Sequence, residues 1–560
     1  MIGRSRIDIS TVPARSRAMP SRAFDVGALV GPATWGPMNE ATVVIDYPDF
    51  YEKFGGFMAA YQACLQAKLF FESGGKRLVF TRVCHITDHS AGKTPATAVK
   101  ATFNLKTAVG GTYSDVNTLT VTALYYGTRG NSLRIKIQPA SNGTAGLFDL
   151  LVYEGTELLE WFPNLSMLDT ATRYAETVIN TSSEKSKYIT VTDLALGGAG
   201  GLAADERPED TTAANGYASG YATLVGGDDG WGTTGAPTLV TTDYIGAVSY
   251  NTGLYAFNLA EQGDLLFCPD DTSTTFQNAA AAYCEVQKKG KMTFVPDPPD
   301  NSDKAGIVVQ AVALTASEYR TALLWPRVKI SNPSTTIYGA APQVEVCPSG
   351  MYAGRIAKNS TTEESAYGTQ PMNEVYGLLD LAVDLESTQH EVLEDTVRDY
   401  VTDYGVNPIV KGTRATDGNF GIWVDDCLLG KTSDNFKSVG EQRFVTYLRI
   451  RGEAYLQRHR GQNNTPERRR TIGEAFEAEL AQWLGKGIYA SDTASEAFYV
   501  NTDPEGESLN NPLVQDEMRM RILVGVATAR PGRFIQLMFT RDNRAVESWI
   551  QQQLTATAQA

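Results

Sequence analysis

At 560 residues the chain is too long for a single hydrophobic core, and about three or four domains are expected. A hydrophobic content of 42% and an aromatic content of 10% are those of ordinary folded protein. The formal net charge of −15 argues against nucleic acid as the main partner, because binding by counterion release needs a dominant basic surface.

Residues 1–22 read as an arm. Arg4, Arg6, Arg15, Arg17 and Arg22 lie among serines and prolines, and the alternation at Ile7 and Ile9 suits one short strand. A disordered terminus explains the same composition; the sharper reading is a strand awaiting a sheet supplied by another chain. The stretch lacks the apolar core of a secretory signal, and its Arg-rich, acid-poor character leaves an organelle transit peptide as the alternative. Folded structure begins near Phe24 and continues through "VGPATWGPMNEATVVIDYPDFYEKFGG", Val30 to Gly56. The steps Gly31-Pro32 and Gly36-Pro37 stiffen a turn that reads as the hinge where the arm enters the body. A strand from Thr42 to Ile45 follows, then a helix capped by Asp46 with Pro48 in its first turn. Met58, Tyr61, Leu65 and Leu69 predict a second helix, stopped at Gly74-Gly75, and Leu78 to Val83 a buried strand. Residues 23–90 are thus an α/β segment.

From 91 to 195 the pattern changes to short strands divided by Gly, Asn and Ser turns: "TLTVTALYYG", "NSLRIKIQP", "FDLLVYEG" and "KYITVTDLAL". These predict an inserted β-sandwich-like domain. Residues 196–235, with "GGAGGLAADERPED" and "GGDDGWGTTG", read as exposed loops opening a second α/β stretch that runs to 410. Within it "GDLLFCPD", "KMTFVPDPP" and "TALLWPRVKI" are strands, and "DTSTTFQNAAAAYCEVQKKGK" is a helix capped by Ser or Thr and closed at Gly290. Strands separated by helices imply a sheet covered on both faces. Residues 411–540 form an α+β C-terminal domain. Val439, Phe444, Leu448 and Tyr455 mark one amphipathic helix; Ile472, Phe476, Leu480 and Leu484 mark another. The strands "RILVGVA" and "RFIQLMF" close the domain, and the tail at 541–560 carries Val546, Trp549, Ile550 and Leu554 at helical spacing. No apolar run approaches the ~20 residues that span a bilayer.

Motifs for chemistry are scarce. The 6 cysteines stand singly, without a CxxC pair, which fits synthesis in a reducing cytosol. Cys84, His85, Asp88 and His89 in "CHITDHS" are zinc-ligand types, but no second pair accompanies them and a solvated loop is expected. His390 and His459 sit alone. "SGGKR" at 73–77 lacks the spacing of a phosphate loop, and "LGGAGGLAAD" is followed too soon by "DERPED" for a crossover helix. There is no GxSxG and no candidate triad, so the chain is not expected to be an enzyme; no catalytic residue, cofactor or metal is assigned. The segment "RHRGQNNTPERRR", with Arg458, Arg460, Arg468, Arg469 and Arg470, reads as a solvated helix connection or as an electrostatic contact to an acidic protein surface. Without interleaved aromatics, nucleic acid ranks last.

The opening stretch, taken with "LFFESGGKRLVFTRV", "ALYYGTRGNSLRIKI", "WFPNLSM", "YAETVINTSS", "LVGGDDG", "TDYIGAV", "VCPSGMYAGRIAKNS", "YGVNPI" and "ILVGVATARPGRFIQLMF", resembles the tail sheath proteins of contractile phages. The order and spacing of these segments extend the resemblance over nearly the whole chain; 196–235 and the part beyond Thr540 fit less well. The resemblance implies a multidomain α/β fold with a subtilisin-like, non-proteolytic core. It implies subunits that polymerise helically around an inner tail tube and contract from a metastable extended state, driving the tube through a bacterial envelope. Further partners would be baseplate and tail terminator proteins, with no direct nucleic acid and no membrane insertion. The place of the protein would be the virion tail, assembled in the host bacterial cytoplasm. Ile7, Ile9, Ile535, Leu537 and Phe539 are the expected strand linkage between subunits. Arg458, Arg460, Arg468, Arg469 and Arg470 are expected to face the tube. The sheath of a headless injection system or R-type bacteriocin is the near alternative, and a hydrolase using the α/β domain the distant one.

Overall fold

The computed structural model describes residues 24–107, 116–231, 239–260, 262–314, 320–361, 380–382, 394–411, 420–422, 424, 426–428 and 438–529. The arm at 1–22 with Ile7 and Ile9, His390, the expected closing strand with Ile535, Leu537 and Phe539, and the tail at 541–560 lie outside the described residues.

Every residue of the apolar strand Val26–Gly31 is buried, which suits a parallel sheet covered on both faces. It pairs in parallel with Arg77–Arg82 on one side and Leu265–Phe267 on the other; Thr293–Val295 continues the parallel order. Ala41–Val44 ends the sheet, antiparallel to Arg77–Arg82. At the other end a parallel bridge from Phe294 to Thr321 leads on to Leu323–Trp325, Val406–Lys411 and Phe420–Ile422. Strand alternation divides two cores. Leu29, Phe80, Leu265 and Phe267 face the helices Ala63–Glu72, Lys304–Ala313 and Ser349–Thr361. Val26, Ala28, Val30 and Leu266 face the helix Thr274–Ala282 and the 3-10 turn Gly253–Leu259. The early α/β segment and the later α/β stretch therefore make one sheet.

The helix starts follow local chemistry. Asp46 accepts the Asp49 amide at 2.8 Å, Ser273 the Phe276 amide at 3.2 Å, and Asp303 the Gly306 amide at 2.7 Å. The second helix begins at Ala63, later than its apolar spacing predicts. Asp270, distant in sequence, takes the amides of Gln62 and Ala63 and sets the first turn there; Met58 and Tyr61 are buried in the approach.

Between strands of this body the chain builds a mainly β unit, with one short helix, Ala175–Asn180, packed in its core. Thr102–Thr107, Val116–Ala123 and Ile189–Asp193 form one antiparallel sheet; Ala222–Thr223, Leu133–Pro139, Phe148–Glu154 and Glu157–Leu165 form another. Leu105, Val121, Ile135, Leu150 and Val152 share their core. The unit extends beyond residue 195, because Leu202, Tyr217, Ala222 and Leu224 are buried in the same core. Part of the glycine-rich stretch expected as exposed loops is thus packed structure. Glycine reports backbone freedom, which a buried connection needs as much as a loop does.

The Gly-Pro turn joins these two parts. Gly36 holds φ at +93°, and its carbonyl accepts from Arg82 Nη1 at 3.0 Å. The same nitrogen donates to the Tyr126 carbonyl at 2.8 Å, and Nη2 lies 3.5 Å from Asp229 Oδ1. Arg82 stands in the body sheet, and Asp229 follows the β unit's last strand. Trp35, between the prolines, is buried in the β-unit core with its ring 5.3 Å from that of Tyr125. The turn is therefore a joint between body and β unit, and it follows the central strand Val26–Gly31 instead of preceding the folded body. Past Ser438 a third part follows. It holds the helices Val439–Leu456 and Pro466–Ala481 and an antiparallel ribbon of Phe498–Asn501 with Leu523–Val526. Val406–Lys411 belongs to the body, so the division expected at 411 falls inside the α/β part.

Burial depresses the Arg82 guanidinium to about 10 and raises the Asp229 carboxyl, so the pair is held by mutual need rather than surplus attraction. Asp229→Ala should cost about 3–5 kcal/mol by stranding the arginine. The double change Arg82→Met, Asp229→Leu should recover much of it, as read by urea unfolding.

Candidate assembly module

Open α/β sheets place ligands at the carboxyl ends of their strands, where strand order reverses. Here that crevice, beyond Gly31, Phe267 and Val295, is filled by the protein itself. Asp270 Oδ1 and Oδ2 accept the amides of Gln62 at 2.5 Å and Ala63 at 3.1 Å. Asp297 Oδ1 accepts the Ser349 amide at 3.0 Å, at the start of the Ser349–Thr361 helix. Gln66 Nε2 donates to the Cys347 carbonyl at 2.6 Å, and its Oε1 accepts the Gly350 amide at 3.0 Å. A Cβ at Gly31 would stand 2.3 Å from that of Ala63, so the helix start presses directly on the strand end. Carboxylates that cap helices this way stabilise the helix dipoles, and these have their oxygens engaged by the protein's own amides.

"CHITDHS" is ordered and not a solvated loop. His89 Nε2 lies 2.9 Å from Asp243 Oδ1, His89 Nδ1 lies 3.0 Å from Thr252 Oγ1, and His85 Nδ1 lies 3.1 Å from Asp243 Oδ2. Asp243 also accepts the amides of Ile86 and Val240. The order carboxylate, imidazole, hydroxyl is that of a hydrolase triad. Thr252, however, is fully buried, and its Oγ1 already accepts the Ala247 amide at 2.8 Å. The cluster crosslinks two segments. Among the described residues no group of His, Cys, Asp and Glu is arranged to hold a metal ion.

The basic segment divides. Arg458, Arg460 and Arg470 are exposed, and Arg470 meets Glu505 at 3.0 Å. Arg468 is half-buried and bonds Gln462. Arg469 points inward, donating to the Pro504 carbonyl through Nε at 3.0 Å and to Asn464 Oδ1 at 2.7 Å. Among the described residues the strands Phe498–Asn501 and Leu523–Val526 of the nearby ribbon pair only with each other, and just past the second strand Thr528 bridges Tyr489. A cleft of about 870 Å³ runs beside Leu523 and Val524, walled by Leu448, Leu456, Phe476, Met520 and Ile522. A smaller one of about 610 Å³ runs beside Phe498, Tyr499 and Val500, walled by Glu474, Glu477 and Ala478. An open edge next to a cleft takes an added strand: the edge supplies main-chain bonds and the cleft accepts alternate side chains.

Solved structures with a similar fold exist. The sheath tail protein of Desulfitobacterium hafniense superposes with a TM-score of 0.54 at 12% identity, covering 89% of this chain and 93% of that one. The sheath tail protein of Listeria innocua gives 0.55 at 15% identity, covering 88% and 91%. The contracted sheath of an extracellular contractile injection system, PVC, gives 0.54 at 12% identity, covering 97% and 99%. The fold is that of the contractile sheath proteins. No protein-family model and no curated protein matches the sequence, so the likeness lives in the backbone.

Sequence reading missed the strand Phe498–Asn501, although "FYVN" has strand-forming residues. It also missed Asp270, Asp297 and Asp243, for which the only signal is an Asp following a strand or lying in a helix's first turn. Burial pushes Asp270 and Asp297 up to about 7 from 3.8. The folded chain therefore keeps protons that the unfolded chain releases between about pH 4 and 7. Its stability should fall as pH rises through that window and level off above it. Asp297→Asn keeps an oxygen for the Ser349 amide and should flatten the fall, as thermal midpoints across about pH 4 to 8 will show.

Proposed function

We propose that the chain is the structural subunit of a contractile sheath, polymerising helically around an inner tube and contracting to drive it through a bacterial envelope. The observation that carries this is a two-stranded ribbon that, among the described residues, has no further strand on either edge, in a chain with the sheath fold. Segments of neighbouring copies fill those edges. The basic arm, with Ile7 and Ile9, matches the edge at Phe498–Asn501, beside Glu474 and Glu477. The apolar strand with Ile535, Leu537 and Phe539 matches the edge at Leu523–Val526, beside the apolar cleft. Strand addition on slender segments holds copies together while their bodies slide and turn. A heterologous contact that does not close propagates as a helix. Contraction exchanges one packing of bodies for another, the extended one being kinetically trapped.

The body serves as the subtilisin-like core of such a subunit, without proteolytic or other enzymatic work, since the carboxylates and imidazoles at its strand ends are taken up by caps and crosslinks. Baseplate and terminator proteins set the ends of the polymer. Its place is the tail of a virion or the sheath of a headless injection device, assembled in the bacterial cytoplasm. Arg458, Arg460 and Arg470, with Arg468 behind them, face the inner tube; Arg469 belongs to the module's interior.

The purified chain should form wide hollow helical tubes in negative stain, and persistent monomers under all conditions would overturn the reading. Deleting residues 1–22 should leave the melting temperature unchanged and abolish tubes. Reversing Arg458, Arg460 and Arg470 to Glu should spare self-polymerisation and block extended assembly on the tube; normal extended tails would refute the tube contact.

A further inference from the structure

Phe24 is the root of the arm, and the C-terminal module grips it. The Arg443 guanidinium lies over the Phe24 ring, 4.3 Å from its centre, and Nη2 donates to the Phe24 carbonyl at 2.6 Å. Tyr447 stands 6.2 Å from the same ring, and Ile450 completes the cluster. Positions 443, 447 and 450 share one face of the helix Val439–Leu456. Arg443 is only 3% exposed, so stacking and hydrogen bond both act away from water.

The same helix holds the ribbon on another face. Phe444 and Leu448 pack with Phe498 and Val526, one residue from each ribbon strand. Glu441, in the first turn, accepts from Thr528 Oγ1 at 2.6 Å, just past the second ribbon strand. Less than one helical turn thus separates the grip on the arm root from the grip on the ribbon.

We infer that the helix Val439–Leu456 is a strut that passes tension from the arm at Phe24 directly into the ribbon, with Arg443 as its clamp, so that load never reaches the central strand Val26–Gly31. The inference rests on the terminal segments being linkers between copies. Linked copies then form a continuous line of C-terminal modules, and each α/β body with its β unit rides on that line as an unloaded block. Without the clamp, tension on the arm would enter Val26–Gly31, the strand on which both body cores are built.

The test is single-molecule pulling on the full chain between cysteines placed at Ser10 in the arm and Tyr499 on the ribbon. All 6 native cysteines are buried, so the handles attach selectively. In the wild type, once the slack of the arm is taken up, the module should yield in one step while the body stays folded. Arg443→Met keeps the apolar stem and loses the donors. It should add an earlier, low-force lengthening of about 25 Å, the extended reach of residues 24–31. Where that variant fails to fold, Phe24→Ala should show the same early step. A trace for either variant identical to wild type overturns the strut, as does peeling of the central strand in wild type before the module yields. Tube formation is scored separately. An intact strut without tubes counts against the linker reading, and tubes with unaltered variant traces count against the strut.

Discussion

The strand Val26–Gly31 sets the terms for everything around it. It is fully buried and paired on both edges, so its backbone groups are satisfied within the sheet and its side chains are divided between two cores. Both neighbours must run parallel to it, and each parallel connection needs a long crossover. The chain uses that necessity twice. One crossover, residues 32–76, carries the strand Ala41–Val44 and two helices, and the other accommodates the whole β unit before the sheet resumes at Leu265–Phe267. An insertion of that size is tolerated because its ends leave and rejoin a body already fixed on both faces.

The coupling between parts is polar where the parts themselves are apolar. Each unit buries its own hydrophobic cluster, and what crosses between body and β unit is a small set of directed contacts. These include the guanidinium of Arg82, the Lys187–Glu52 pair at 3.9 Å, and Arg129, which pairs with Glu154 at 2.8 Å and donates to the carbonyls of Tyr51 and Glu52 at the end of a body helix. The ring of Trp35 is the apolar member of the set. Directed contacts fix orientation more sharply than an apolar face would, because a buried ion that loses its geometry loses its compensation. Body and β unit are thereby joined at one angle.

Much of this was legible from local chemistry. The caps at Asp46 and Ser273, the helix pair in the C-terminal part and the strands at 133–139 and 148–154 follow from periodicity and turn residues. What was not legible depends on groups far apart in sequence. The start at Ala63 is fixed by a carboxylate at 270, and the imidazoles at 85 and 89 are organised by a carboxylate at 243. A run of arginines announces charge but not direction: Arg469 finds the Pro504 carbonyl inside the module while its neighbour Arg470 stays exposed. The hinge reading of the Gly-Pro turn was mistaken for the same reason. Stiffness is local, whereas what a stiff turn connects is decided by Arg82 and Asp229.

The buried thiols bear on how the proposed polymer would fare outside a reducing cell. Cys64, Cys84, Cys268, Cys284, Cys347 and Cys427 are all enclosed, and burial raises the Cys84 thiol to about 12, keeping it protonated and unreactive. Passage into an oxidising medium therefore offers no sulfur at which two copies can be covalently stapled. A polymer whose contacts must break and re-form in concert would be jammed by a single such staple. In the proposed polymer that sulfur chemistry would be shut away, leaving only reversible bonds at the joints.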